Sequence, residues 1–118
     1  MLKYCKIVYL QYMAINKKDE FQGQEVKLAQ IAKALSHPAR ITIVKFLAQN
    51  GKSLCGDIVK NLPLSQSTIS QHLKELKSVS IINGVNDGPR VEYSINNDQL
   101  RLCKIFFDRF FEQTIKAS

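Results

Sequence analysis

The groups that could do chemistry on another molecule are concentrated in one short stretch. Gln66, Ser67, Ser70, Gln71 and Lys74 lie between Ser65 and Lys77. Wound at 3.6 residues per turn, they share one side of a helix. Short amides and hydroxyls can reach base edges in a DNA major groove, and an ammonium can hold a phosphate. That side lacks the Glu-to-Lys pairing of an ordinary solvated helix. Thr68 and His72 stand in the same stretch. Thr68 serves either the DNA or the helix start, and His72 is counted with the DNA-reading residues, a structural bond being its other role. A plain surface helix with a run of Ser and Gln would present the same groups, so the flanking segments have to weigh between the two.

The elements around this stretch can be read from periodicity. Ser65 suits an N-cap, because its hydroxyl can accept from an orphan N–H of the first turn. Ile69, Leu73 and Leu76 then recur at spacings of four and three on the opposite side. Upstream, Val26, Leu28, Ile31, Ala32 and Leu35 fit a helix over residues 24–35. Ser36-His37-Pro38 breaks it, with Pro38 suited to the first turn of the next helix and His37 to its cap. That helix is expected to reach about Gln49, with Ile41, Val44, Phe46, Leu47 and Ala48 facing the core and Asn50-Gly51 stopping it. Lys52-Ser53-Leu54 reads as a short extended link, followed by a helix of about two turns from Cys55 to Asn61. Two short helices joined by a tight turn form a helix-turn-helix pattern.

Past Lys77 the period changes. Ile81-Ile82 begins a strand, Asn86-Asp87-Gly88-Pro89 is a turn cluster, and Arg90 to Ile95 alternates. This is a hairpin wing with Arg90 near its tip, where a guanidinium can hold a phosphate or enter a minor groove. Asn97-Asp98 caps a last helix that reaches about Ile115. Its Leu100, Leu102, Ile105, Phe106, Phe107, Phe110 and Phe111 cover more than one stripe. A helix this apolar needs a second neighbour, and a two-fold dimer is the common solution. The expected fold is mainly α with a small β-hairpin: a dimeric winged helix-turn-helix over residues 24–118, preceded by an arm over residues 1–23. The arm reads as an amphipathic segment packing on a partner subunit, as a strand or membrane-adjacent anchor, or as an artefact ahead of a natural start at Met13.

Composition bounds the answer. The chain has 118 residues, is 45% hydrophobic and carries a formal charge of +7. That is one domain with a real core and a bias toward polyanions. Cys5, Cys55 and Cys103 are odd in number and form no Cys-x-x-Cys, so they are no disulfide framework and point to a reducing cytoplasm. No run approaches the ~20 apolar residues of a membrane span, and no membrane partner is expected. A glycine-rich phosphate loop, a nucleophile elbow and a His-Glu-x-x-His run are all absent from the sequence, so no enzyme is expected.

Three motifs then fall in one order: Ala34-Leu35-Ser36-His37-Pro38-Ala39-Arg40, Leu54-Cys55-Gly56-Asp57-Ile58, and Leu64 through Leu76. Together they resemble the ArsR/SmtB family of winged-helix repressors, over roughly residues 24–111. The resemblance implies a homodimer that binds double-stranded operator DNA and leaves it when an inducer binds, in many members a metal or metalloid ion. One family metal site places a Cys-x-Cys pair in the segment matching Leu54 to Ile58. Here Cys55 is present and Asp57 fills the second position. Another uses Asp, His and Glu on the last helix, where Asp98 is present and no histidine follows. Neither site is carried over intact. Arsenite or another soft ion remains an inducer to test, with Cys55 as a ligand and Cys5 reaching across the dimer. Arsenite prefers three thiolates, and Cys103, on a distant helix, reads as a small core residue. The rival reading is a winged helix used for protein contacts or membrane attachment, without operator binding.

Overall fold

The computed structural model of the protein describes residues 23–117. The expected arm, Cys5 included, lies outside them apart from Gly23, which opens the first helix. In chain order the elements are α1 (Gly23–Ala34), α2 (Pro38–Asn50), β1 (Ser53–Leu54), α3 (Cys55–Val59), α4 (Gln66–Ser78), β2 (Ile82–Asp87), β3 (Arg90–Ile95) and α5 (Asn97–Thr114). The chain divides into two units, residues 34–101 and residues 23–33 with 102–117.

In the first unit, α2 starts where sequence and physics agree. His37 has extended backbone, and its Nδ1 accepts the Ala39 N–H at 3.0 Å. Pro38 follows at the position where a missing N–H costs nothing. Gly51 closes the helix at φ 72, donating its N–H to Leu47 O at 2.9 Å. The buried stripe is Ala39, Ile43 and Leu47, spaced by four. The expected stripe was different: Ile41 and Ala48 are exposed, and Ile43 takes the core position.

The extended link is also more than a link. Ser53 and Leu54 form β1 and pair antiparallel with Tyr93 and Glu92 of β3, so the sheet has three strands in the order β1-β3-β2. The β2–β3 ladder runs from Ile82 opposite Ile95 to Asp87 opposite Arg90. Asn86 and Asp87 are therefore strand residues, and the loop is Gly88-Pro89 alone. Gly88 has φ 62, the positive value that tight two-residue hairpin loops demand and glycine meets without strain.

The core of this unit gathers Ile43, Leu47, Ile58, Ile69, Leu73, Leu76, Ile81 and Ile82. The end of α4 is tied by paired bonds, Ile81 N–H to Leu76 O and Ser80 N–H to Lys77 O, with Ser80 left-handed at φ 63. This is the Schellman arrangement, with serine where glycine is usual. Two more bonds anchor the start of α5: Asn96 N–H to Ile81 O at 3.0 Å, and buried Gln99 Nε2 to Val79 O at 2.9 Å. Asn96, not Asn97, caps α5, since its Oδ1 accepts the Gln99 N–H at 3.2 Å. Two short helices followed by a paired hairpin make this unit a winged helix-turn-helix.

The second unit sets α1 beside the later turns of α5. Val26, Lys27, Ile31, Cys103 and Phe106 are buried. A cleft of about 190 Å³ between the two helices is lined by Leu28, Phe106, Arg109 and Phe110. Burial pushes the Cys103 thiol up, and the Lys27 ammonium partly offsets this, so Cys103 is held as a neutral core thiol. Large apolar side chains nevertheless stay exposed: Ile105, Phe110 at 44%, Phe111 at 49%, and Ile115 just past the helix at 71%.

Candidate nucleic-acid interface

The interface is built on α4. Ser65 Oγ accepts the Thr68 N–H at 3.3 Å and lies 2.9 Å from Thr68 Oγ1 and 3.2 Å from Ser67 Oγ. This cluster satisfies the first turn and engages Thr68 in the helix start, the structural one of its two expected roles. Ile69, Leu73 and Leu76 are each 0% exposed and lock one side of the helix into the core. The other side is left to solvent: Gln66, Ser67, Ser70, Gln71 and Lys74 are all exposed. The Gln71 amide makes a long bond of 3.4 Å to Glu75, which a better partner could replace.

Beside this face lies an open cleft of about 640 Å³. Its walls are α3, the start of α4 and the wing. Cys55, Lys60, Gln66, Ser70, Arg90 and Tyr93 line it. The structure thus brings Gln66, Ser70 and Arg90 to one cleft, while Ser67, Gln71 and Lys74 stand outside it on the open face. Lys60 was missed in the sequence because it follows a short helix with no periodic signal of its own. It adds a second cation to a cleft that Arg90 enters from the wing. Arg90 sits 4.0 Å from Asp87, and both side chains are mostly exposed. A pair that loose in water contributes little, so the guanidinium is available to a phosphate. Asp57 is occupied otherwise, accepting the Leu54 N–H at 2.9 Å and closing the first turn of α3.

His72 departs from the expected DNA-reading set. It is 8% exposed, on the buried side of α4. Its Nδ1 accepts from Arg40 Nε at 3.1 Å, and its ring lies 4.6 Å from that of His37. Burial, then His37 and Arg40, lower its pKa, so the neutral ring is favoured. The physical reason is its position three residues after Ile69 and four before Leu76, which is the core stripe. Of the two roles left open for it, the structural bond is the one present.

Cys55 is a half-exposed free thiol whose Sγ lies 3.6 Å from Ser70 Oγ. Tyr93 is raised above the usual phenol range by burial and by the Cys55 thiol. The neighbours of Cys55 in the cleft are oxygens rather than sulfurs, and Cys103 belongs to the other unit. Among the described residues no group of three His, Cys, Asp or Glu converges on a metal-sized site. The three thiolates that arsenite prefers are not assembled by these residues. No helix among them is long and apolar enough to cross a membrane.

Comparison with known proteins matches this geometry. The sequence model of the bacterial regulatory protein, arsR family, matches residues 37–83, from the cap of α2 through α4 into β2. The HTH-type transcriptional regulator YgaV of Escherichia coli K12 is 32% identical over 79 residues, spanning 67% of this chain and 80% of that protein. The arsenical resistance operon repressor of Bacillus subtilis is 31% identical over 86 residues, spanning 68% and 82% respectively. The homodimeric winged helix-turn-helix DNA-binding domain of a Mycobacterium bovis protein, solved in solution, superimposes with a TM-score of 0.58 at 27% identity, over 78% of this chain and 88% of that one. The chain therefore belongs to the arsR family of bacterial regulatory proteins, which are DNA-binding transcriptional regulators and not enzymes.

Proposed function

We propose that this protein is a cytoplasmic, homodimeric repressor that reads double-stranded operator DNA with α4 and its wing. One observation carries the reading: the polar side of α4 is wholly exposed while its apolar side is wholly buried. In this reading Gln66, Ser67, Ser70 and Gln71 face base edges. Lys74, Lys60 and Arg90 face phosphates, with the cleft seating one backbone strand. The exposed phenylalanines of α5 pair two copies across a two-fold axis, as in a bound pair of half-sites. The test is binding of Gln66→Ala/Gln71→Ala to a duplex selected by the wild type. Each lost bidentate pair should remove about 1–3 kcal/mol of discrimination. Unchanged affinity and selectivity would overturn the assignment, and binding insensitive to salt would favour a protein-contact module instead.

A second reading concerns the inducer, and the contact between Cys55 and Ser70 favours it. A soft ion held at Cys55 would occupy the cleft and displace a hydroxyl of the reading face. A coupling of about 1–3 kcal/mol suffices to release DNA. Arsenite, zinc and a mild oxidant titrated into the DNA complex should release the wild type and spare Cys55→Ser. Retention of the wild type throughout, or equal release of both proteins, makes Cys55 structural. The Cys5 part of this reading falls on residues outside those described, and Cys5→Ser extends the same titration to it.

A further inference from the structure

The contact between α2 and α4 contains a polar clasp that neither the reading face nor the wing explains. Arg40 on α2 reaches across to His72 on α4, with Nε donating to Nδ1 at 3.1 Å. The same guanidinium also donates to Ala34 O at 3.4 Å. His37, whose ring lies 4.6 Å from His72, uses its own Nδ1 to accept the Ala39 N–H. An arginine side chain can only donate, so the Nδ1 of His72 carries no proton and its ring proton sits on Nε2. The Nδ1 of His37 is bare for the same reason. The Arg40 donor and the His72 ring can keep this bond only while Nδ1 of His72 is unprotonated.

We propose that Arg40 and His72 are positioning residues for DNA binding: their bond sets the rotation of α4 against α2, and protonation of His72 opens it and turns the reading face out of register. The inference rests on the operator-reading role of α4 proposed above. The hydrophobic side of α4 fixes its depth but is non-directional. A hydrogen bond between charged and neutral partners supplies direction and is among the stronger ones. Protonated at Nδ1, His72 would face the Arg40 donor with a second donor and a second positive charge.

The surroundings support the direction of the effect. Two titratable or charged groups act on His72 among the described residues, His37 before α2 and Arg40 on α2. Both disfavour its charged form, as does burial. Asp57 and Lys60 near α3 and Asp87 on β2, the charged groups of the other elements packed on α4, do not shift it. A histidine lowered from its ordinary 6.5 contributes stability that is fully present above that value. The contribution is lost as pH falls through the lower folded-state value. The sign for binding is the opposite of the usual one. A histidine that touches phosphate grips DNA harder on acidification, whereas this clasp releases it.

The test is a pair of pH profiles, from about pH 8 to about pH 5 at constant ionic strength. One measures affinity for a duplex selected from random sequence by the wild type, and the other the urea midpoint without DNA. The wild type should lose about tenfold in affinity for each pH unit below the folded-state value, and its urea midpoint should fall as pH drops from 6.5 to that value. His72→Asn places an amide oxygen near the position of Nδ1. It should keep the neutral-pH affinity and lose about twofold or less over the range. Arg40→Met should bind more weakly at neutral pH with a flat profile. His37→Ser, which preserves a capping acceptor, should retain the acid loss. Rising wild-type affinity on acidification would place His72 on the DNA and overturn the clasp. So would an undiminished acid loss in His72→Asn or Arg40→Met, or its disappearance in His37→Ser. The urea profiles need no DNA, so they read the clasp even if the operator-reading role of α4 fails.

Discussion

Helices α4 and α5 both carry an apolar and a polar side, and they finish differently. In α4, Ile69, Leu73 and Leu76 are completely buried by the chain's own core. What remains at its surface is amide, hydroxyl and ammonium. In α5, Cys103 and Phe106 are buried, yet Ile105, Phe110 and Phe111 remain exposed, with Ile115 beyond them. What its apolar side leaves exposed is hydrocarbon and phenyl ring, with exposed Phe110 and half-buried Phe107 each beside the ring of Phe111. Each helix advertises what folding did not use. One surplus suits the edges of bases. The other suits a second copy of the same surface.

The largest effects should come from exchanging those fates. Leu73→Ala empties a fully packed site and should lower the unfolding free energy by about 2–5 kcal/mol in urea. Phe110→Ser with Phe111→Ser removes exposed rings instead. It should barely move the unfolding of a single copy and should convert a dimer to a monomer in sedimentation. Binding to a two-half-site duplex should then fall by about a hundredfold or more, since the two modules no longer act together. A monomeric wild type, or a dimeric double variant, would break the comparison by showing that the surplus on α5 serves something else.

A smaller effect sharpens the α4 side. Arg90→Ala and Lys60→Ala should each weaken binding across all sequences alike and flatten the dependence of affinity on salt by about one unit. Together they should flatten it by about two units, if one backbone strand lies in the cleft between them. Loss confined to a single base position would instead make either one a base reader.

Much of this was legible in the sequence, for reasons that differ by residue. Ser65, His37, Pro38 and Gly51 mark helix ends because each satisfies a local requirement of backbone geometry. The α4 stripe follows from period, and the hairpin from alternation after a turn cluster. β1 was not legible, because two residues carry no period and its partner lies some forty residues on, across α3 and α4. The stripe of α2 was misjudged because Ile41, Ile43, Val44, Phe46, Leu47 and Ala48 crowd into eight positions, so spacing cannot choose among them. His72 was assigned to the DNA side by its residue type, although its place in the 69–72–73–76 repeat pointed inward. Lys60 came to light only when the wing closed the cleft around it.

The two-residue strand β1 joins the wing to the helix pair. It ends at Leu54, and Cys55 opens α3, while across the ladder Tyr93 and Glu92 belong to the wing. At Gly84, on the other wing strand, the Lys77 side chain lies so close that an added Cβ would sit 3.2 Å from its Nζ. The hairpin is therefore stitched to the helix pair on one edge and propped by α4 on the other. In the operator-reading role proposed above, it would act as the fixed jaw of a calliper rather than as a swinging flap. A tool of that kind gauges the spacing between two points on a duplex before any base is compared. Duplexes whose grooves depart from that gauge must be bent to fit, and the stiffness of their own sequence decides how readily they bend.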